Sequence, residues 1–181
     1  MNEQTRLTPI GRWRERLVRL TNDKQWGKRF AYWVGKTTGS LQLRLKQLRP
    51  ADEIPWTPLR RPIAQATVAV IATGGVHLCR DEPFDLKAAP SFRAIPCTAS
   101  RADLCITHAT YDRRDASRDL NLVFPVERLL ELEAAGVIGR VADIHYGFGF
   151  VQDPRDLLPL GRQVGKLLAQ AGVDLAVLVP A

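Results

Sequence analysis

Side chains that can bind or transfer protons follow apolar segments at three places, and the first is a glycine turn. His77 follows an apolar run by way of Thr73, Gly74 and Gly75. Glycines there let the backbone approach an anion or a partner closely, and an imidazole can move a proton. The pattern is neither a Walker loop nor the dinucleotide fingerprint, because no Lys-Ser/Thr pair and no third glycine follows. Taken alone, it is more typical of a structural turn than of a site.

A second group of polar residues follows another apolar segment. His108, Tyr111 and Asp112 stand close together in the sequence, and a His–Asp pair can do acid–base work where the side chains meet. The alternative is a polar loop whose side chains hydrogen-bond its own backbone. From these residues alone the alternative is favoured.

The third candidate is His145, which stands among aromatic residues. No two of the three histidines have the short spacing of a ligand pair, so the sequence predicts no metal site. No Gly-x-Ser-x-Gly elbow is present, which leaves a hydrolase of the α/β type without support.

The cysteines are three, Cys79, Cys97 and Cys105, and none forms a Cys-x-x-Cys pair. This odd count argues against a disulfide framework and against structural zinc, and it favours the reducing cytoplasm. Cys105, inside a strand candidate, is expected to be structural, and Cys97 is the thiol expected to be most accessible.

Strand and helix candidates alternate along the second part of the chain. This alternation predicts an α/β fold with a three-layer, mostly parallel sheet of the doubly wound type, which binds ligands beyond the carboxyl ends of its strands. The histidine-bearing loops should then face the same edge as the end of the chain. The candidates are strands at Thr67–Ala72, Phe92–Ile95, Leu104–His108, Val141–Phe148 and Asp174–Val179, and helices at Pro125–Ala135 and Leu157–Ala171.

Positive charge is concentrated near the start of the chain. Residues 1–61 carry a balance of +9 and the remainder a balance of −2, and all four tryptophans lie in the first part. We expect a basic helical leader over residues 1–55 and one domain over 56–181. Because the leader's aromatic residues recur at helical spacing, they favour packing or oligomerisation over stacking on bases. Nucleic-acid and membrane binding are therefore disfavoured, and no apolar run is long enough to span a bilayer.

Several segments together carry a family resemblance. The domain from Trp56 onward resembles the B-type selenoprotein subunits of glycine, sarcosine, betaine and D-proline reductases. The segments, in order, are Trp56–Leu59, Val70–His77, Asp81–Leu86, Phe92–Pro96, Thr107–His108 with Tyr111–Asp112, Asp119–Asn121, Val123–Leu129, Gly136–Gly139, His145–Phe148 and Ala171–Asp174.

The resemblance implies an oxidoreductase that cleaves a C–N bond of a small amino-acid-like substrate reductively. In that family the substrate is a Schiff base on a pyruvoyl group of a partner subunit, and a thiol or selenol protein supplies electrons. The pocket would include His77, His108, Tyr111, Asp112 and His145, with Thr73, Gly74 and Gly75 as the binding turn. A non-catalytic accessory subunit that binds a small ligand or a partner is the alternative.

The family's selenocysteine or cysteine nucleophile follows the strand that corresponds to Asp174–Val179. The sequence in hand stops at Ala181, before that motif. Either a UGA selenocysteine codon follows Ala181, or the chain is a shortened paralogue without the nucleophile. The stop codon of the gene distinguishes the two.

Overall fold

A computed structural model describes residues 57–85, 90–108, 111–149 and 154–180. Its strands are β1 (Thr67–Ala72), β2 (Val76–Leu78), β3 (Phe92–Pro96), β4 (Leu104–Ile106), β5 (Arg140–Val141), β6 (Ile144–Phe148) and β7 (Leu175–Val179). Its α-helices are α1 (Arg114–Arg118), α2 (Val126–Ala134) and α3 (Leu157–Gln170), and short 3₁₀ turns lie at Ile63–Gln65, Arg101–Asp103, Leu120–Leu122 and Pro154–Asp156. The predicted helices and the first and last strands are confirmed to within a residue or two.

The central strand of the larger sheet is β1, whose β-branched and small residues suit a strand buried on both faces. Strand β7 lies parallel to it along one side, with Val68 opposite Leu175 and Ala72 opposite Val179. Strands β5 and β6 lie parallel to it along the other side. Strand β3 pairs with β6 in the antiparallel sense. The fold is therefore a mixed α/β type with a mostly parallel sheet, while the three-layer, doubly wound arrangement stays a prediction.

Apolar clusters lie on both faces of this sheet. On one face Val68 and Val70 pack with the α2 residues Val126 and Leu129. On the other face Ala69 and the aromatic residues of β6 pack with Val164 and Leu168 of α3. The alternation of β1 residues between the two clusters is the period-2 pattern of a strand. Helices α2 and α3 thus pack on opposite faces of the sheet, and this packing fixes the positions of the strand ends.

A separate two-stranded sheet carries two of the candidate residues. Strands β2 and β4 pair antiparallel, with His77 opposite Cys105. The segment Leu104–His108 was expected to join the parallel sheet, and that expectation is wrong. A parallel neighbour needs a long crossover connection. Among the described residues between β1 and β4 no α-helix supplies one.

The expectation that the chain has no disulfide is also wrong. Cys79 and Cys105 form one, with their Cα atoms 4.9 Å apart, and Cys97 is a free thiol. The count of cysteines could not show this because the pair forms diagonally across β2 and β4, a pairing that the sequence did not predict. The odd number of cysteines therefore does not support the inference that the protein resides in a reducing compartment.

The predicted helical leader over 1–55 lies outside the described residues, so the boundary at residue 56 stays a prediction. Within the described ranges, no helix is long and apolar enough to cross a membrane.

Candidate functional site

The glycine turn after β1 joins the carboxyl ends of three parallel strands. The N–H of Thr73 donates to the carbonyl of Val179 at 3.0 Å, and the N–H of Gly75 donates to the carbonyl of Phe148 at 3.0 Å. These two donors are therefore used inside the fold. The turn that the sequence proposed as a binding loop holds β7 and β6 to β1 at the edge where parallel sheets bind ligands.

Close packing requires a glycine at position 75. Its φ is +73°, and a Cβ there would lie 2.1 Å from the carbonyl oxygen of Thr107. The N–H of Thr107 in turn donates to the carbonyl of Gly75 at 2.8 Å. Since any side chain would push the two segments apart, the glycine brings Thr107 and His108 to the same edge as the turn.

His77 and Thr107 form a buried hydrogen-bonded pair. The ring Nδ1 lies 2.7 Å from the carbonyl of Leu78, and Nε2 lies 2.9 Å from the Thr107 hydroxyl oxygen. Because a carbonyl only accepts, Nδ1 carries the proton, and in the neutral ring Nε2 accepts from the Thr107 hydroxyl. Both residues are at most 4% exposed. Both ring nitrogens of His77 are therefore hydrogen-bonded, and the contact with the carbonyl fixes the Nδ1–H tautomer.

Aromatic and cationic groups cover the His77 ring. Phe84 meets it edge-on with centroids 5.5 Å apart, and the guanidinium of Arg93 lies 4.8 Å from the Phe84 centroid. Gly149 makes room for Phe84, since a Cβ there would lie 2.7 Å from the ring. This cover excludes water from the His77–Thr107 hydrogen bond, which strengthens it.

His108 and Tyr111 stand together beside the turn, as their sequence grouping suggested. Their ring centroids are 4.8 Å apart, and the Tyr111 hydroxyl donates to the carbonyl of Gly74 at 3.0 Å. Burial, and secondly the charge of Arg113, lowers the pKa of His108 to about 4. Burial raises the pKa of Tyr111 to about 12. At neutral pH this corner therefore offers an uncharged imidazole and an un-ionised phenol.

Asp112 serves the start of α1. Its carboxylate forms an ion pair with Arg114 at 2.6 Å and accepts the backbone N–H of the same residue at 3.1 Å. A side chain that binds the backbone N–H two residues later is the polar-loop arrangement that the sequence analysis gave as the alternative to acid–base work. The contacts with Arg114 therefore indicate that Asp112 stabilises the loop before α1.

His145 lies inside the sheet, since it is the second residue of β6. Its Nδ1 accepts the N–H of Val70 at 3.0 Å, at the break between β5 and β6. The residue is fully buried, and Phe124 meets its ring edge-on at 5.9 Å. Burial lowers its pKa to about 4. The ring therefore replaces a missing strand partner for the β1 backbone.

Among the polar residues of the candidate site, Thr107 is the one that the sequence analysis did not propose as a site residue. A threonine after an apolar strand carries no signal by itself, because its use depends on its neighbour across the antiparallel pair. The described residues contain no group of three His, Cys, Asp or Glu side chains placed to hold a metal ion.

Comparison with known proteins identifies the family of the chain. The sequence profile described as glycine/sarcosine/betaine reductase selenoprotein B matches residues 42–181. The chain belongs to this family. The match begins before Trp56, where the segments that carried the resemblance start.

Curated relatives bear names of reductase complex subunits. The chain is 34% identical over 125 residues to the D-proline reductase subunit gamma of Acetoanaerobium sticklandii, covering 68% of this chain and 52% of the relative. It is 28% identical over 133 residues to the glycine reductase complex component B subunit gamma of Carboxydothermus hydrogenoformans, covering 70% of this chain and 31% of the relative. It is 30% identical over 98 residues to the sarcosine reductase complex component B subunit beta of Peptoclostridium acidaminophilum, covering 51% and 22%.

The chain thus spans about half the length of the first of these relatives and less of the others. No solved structure matches it significantly.

Proposed function

We propose that the chain works as a B-type subunit of a reductase complex that cleaves a C–N bond in a small amino-acid-like substrate. Family membership supports the reaction class. The observation that carries the location is the meeting of Gly75, Thr107 and Tyr111 at the carboxyl ends of β1, β6 and β7. Such an edge is where open parallel sheets bind ligands.

Each polar group at this edge has a role that its surroundings support. The His77–Thr107 pair holds and passes a proton, because the tautomer is fixed and the cover is dry. Tyr111 is half-buried and fixes the turn through the Gly74 carbonyl. Since the Thr73 and Gly75 N–H groups are used in the sheet, we give the turn a positioning role and assign it no cofactor.

The substrate would reach this edge on a partner subunit. By family resemblance we propose that the partner bears a pyruvoyl group and that a thiol or selenol protein supplies electrons. The names of the relatives, as components of multi-subunit complexes, support partner subunits in general. A thiol-dependent reaction needs a reducing compartment, so we propose the cytoplasm.

The nucleophile is expected outside the described residues. Within them, Cys79 and Cys105 are paired, and the N–H of Cys97 donates to the carbonyl of Asp143 beside the start of β6, at the opposite edge. We propose that the selenocysteine or cysteine of the family motif lies in the half of the D-proline reductase relative that this chain does not match.

The first test is the gene. We expect the same reading frame to encode the selenocysteine or cysteine segment of the family. The product that carries this segment, assembled with a pyruvoyl-bearing subunit, should contain selenium where the codon is UGA. It should also consume one of glycine, sarcosine, betaine or D-proline in the presence of dithiothreitol.

The second candidate is a non-catalytic accessory subunit that binds a small ligand or a partner. A gene that encodes no such segment, together with no consumption of any of the four substrates, would support it and would contradict the reductase proposal.

A further inference from the structure

The Cys79–Cys105 disulfide links an exposed cysteine to the register partner of His77. Cys79 is exposed, whereas Cys105 is half-buried. Cys105 is the register partner of His77, and Cys79 follows His77 by two residues on the same strand and turn. The bond therefore joins the two segments that carry His77 and Thr107.

A groove opens beside the exposed sulfur. It has a volume of about 360 Å³, and Cys79, Arg80, Pro96 and Asp103 are among its lining residues. The guanidinium of Arg80 contributes positive charge here and helps to lower the pKa of the Asp103 carboxyl, after the hydrogen bonds from Ser100. An incoming thiolate is attracted by such a cation. The groove thus combines access, room and charge at one sulfur of the pair.

We propose that Cys79–Cys105 is a dithiol–disulfide exchange site, for which the co-reactant is a dithiol reductant. A thiolate of the reductant attacks the sulfur of Cys79, which forms a mixed disulfide and releases Cys105 as a thiolate that takes up a proton. The second thiol of the reductant then closes its own disulfide and releases Cys79. The reductant loses two electrons and two protons, and the cysteine pair gains them.

Exchange at this pair alters the setting of His77. With the bond open, the covalent link between β2 and β4 is lost, and hydrogen bonds and packing alone hold His77 opposite Cys105. The 2.9 Å contact between His77 Nε2 and the Thr107 hydroxyl then lengthens or becomes heterogeneous. The inference concerns this pair alone and does not rest on the reductase proposal.

The test uses the full chain with Cys97→Ser, which leaves only the pair in question. The protein is incubated with dithiothreitol without denaturant and then alkylated with N-ethylmaleimide, and the added mass counts free thiols. We expect no alkylation before reduction and two alkylated cysteines after it. Arg80→Gln should slow the native reduction about 3-fold at low salt and have little effect at high salt.

A second measurement follows the histidine rings by ¹⁵N-correlated NMR. Reduction should move the His77 ring signals and leave those of His145 in place, because His145 lies in the larger sheet. A pair that is alkylated only after denaturation, or thiols that never oxidise, would overturn the exchange site. Equal shifts at His77 and His145, or none, would overturn its link to His77.

Discussion

Two buried histidines, His77 and His145, have different hydrogen-bonding roles in the same fold. His77 uses both ring nitrogens, one on the Leu78 carbonyl and one on the Thr107 hydroxyl. His145 accepts a backbone N–H with Nδ1, while its Nε2 meets no hydrogen-bonding group among the described residues. A ring that links a backbone carbonyl and a side-chain hydroxyl at a strand edge is placed to exchange a proton with the hydroxyl, whereas a ring that completes a backbone ladder supports the strand. The comparison separates the edge at which we propose the chemistry from the interior of the sheet.

Acidification should produce the largest effect, and it acts on one ring of each region, His145 in the interior and His108 at the edge. His145 and His108 have a pKa of about 4 in the fold against an ordinary value of 6.5. The unfolded chain therefore binds these protons first, and stability falls as the pH drops from 6.5 towards 4, then levels off. The loss is roughly 3 kcal/mol for each ring.

Chemical denaturation at several pH values measures this slope. His145→Asn keeps an acceptor near Nδ1 without a titrating ring, so the slope should fall by about half. An unchanged slope in His145→Asn would break the assignment of His145 to the interior.

Gly75→Ala should have the next largest effect, because it disrupts the edge. The new Cβ meets the Thr107 carbonyl, and φ is positive, so the free energy of unfolding should fall by about 3 kcal/mol or more. Gly136→Ala is the matched control, since its φ is +69° and nothing lies within 4 Å of a Cβ there. It should cost only about 1 kcal/mol. Equal losses in urea denaturation would mean that the close approach at the edge contributes nothing.

Thr107→Val should cost about 1–2 kcal/mol, because the His77 Nε2 lone pair loses its donor while buried. Thr107→Ser keeps the hydroxyl and should restore the ¹⁵N signature of the Nδ1–H tautomer, even if the lost methyl group lowers stability. A ring spectrum of Thr107→Val identical to that of the parent would remove Thr107 from the proton path.

Tyr111→Phe should have the smallest effect on stability, about 1 kcal/mol, since it removes one hydrogen bond to the Gly74 carbonyl from a half-buried side chain. Thermal unfolding at neutral pH measures it. A loss as large as that of Gly75→Ala would show that Tyr111, rather than the packing of Gly75 on Thr107, holds the turn.

The sequence predicted correctly the helices and strands that have a strong hydrophobic period. It did not predict which strands pair, in which direction they run, or which cysteines are bonded. The run Thr67–Ala72 is a buried strand and Leu157–Gln170 is a helix, as expected. The antiparallel direction of β3, the separate β2–β4 sheet and the disulfide depend on contacts between distant residues, which no local pattern encodes. Thr107 was missed for the same reason. His145 was expected near a strand end. The sequence predicted one strand over Val141–Phe148 and did not predict the break between β5 and β6.

The central claim is that the carboxyl edge around His77 carries the chemistry and that His145 does not. The direct test is the turnover of the assembled complex, with dithiothreitol as reductant, for His77→Asn and His145→Asn. Loss of a positioned proton-transfer group lowers kcat about 10²-fold or more, and this is expected for His77→Asn. His145→Asn should stay within about 3-fold of the parent at a pH where both variants remain folded by circular dichroism. Turnover that survives in His77→Asn, or that falls equally in both variants, would contradict the account.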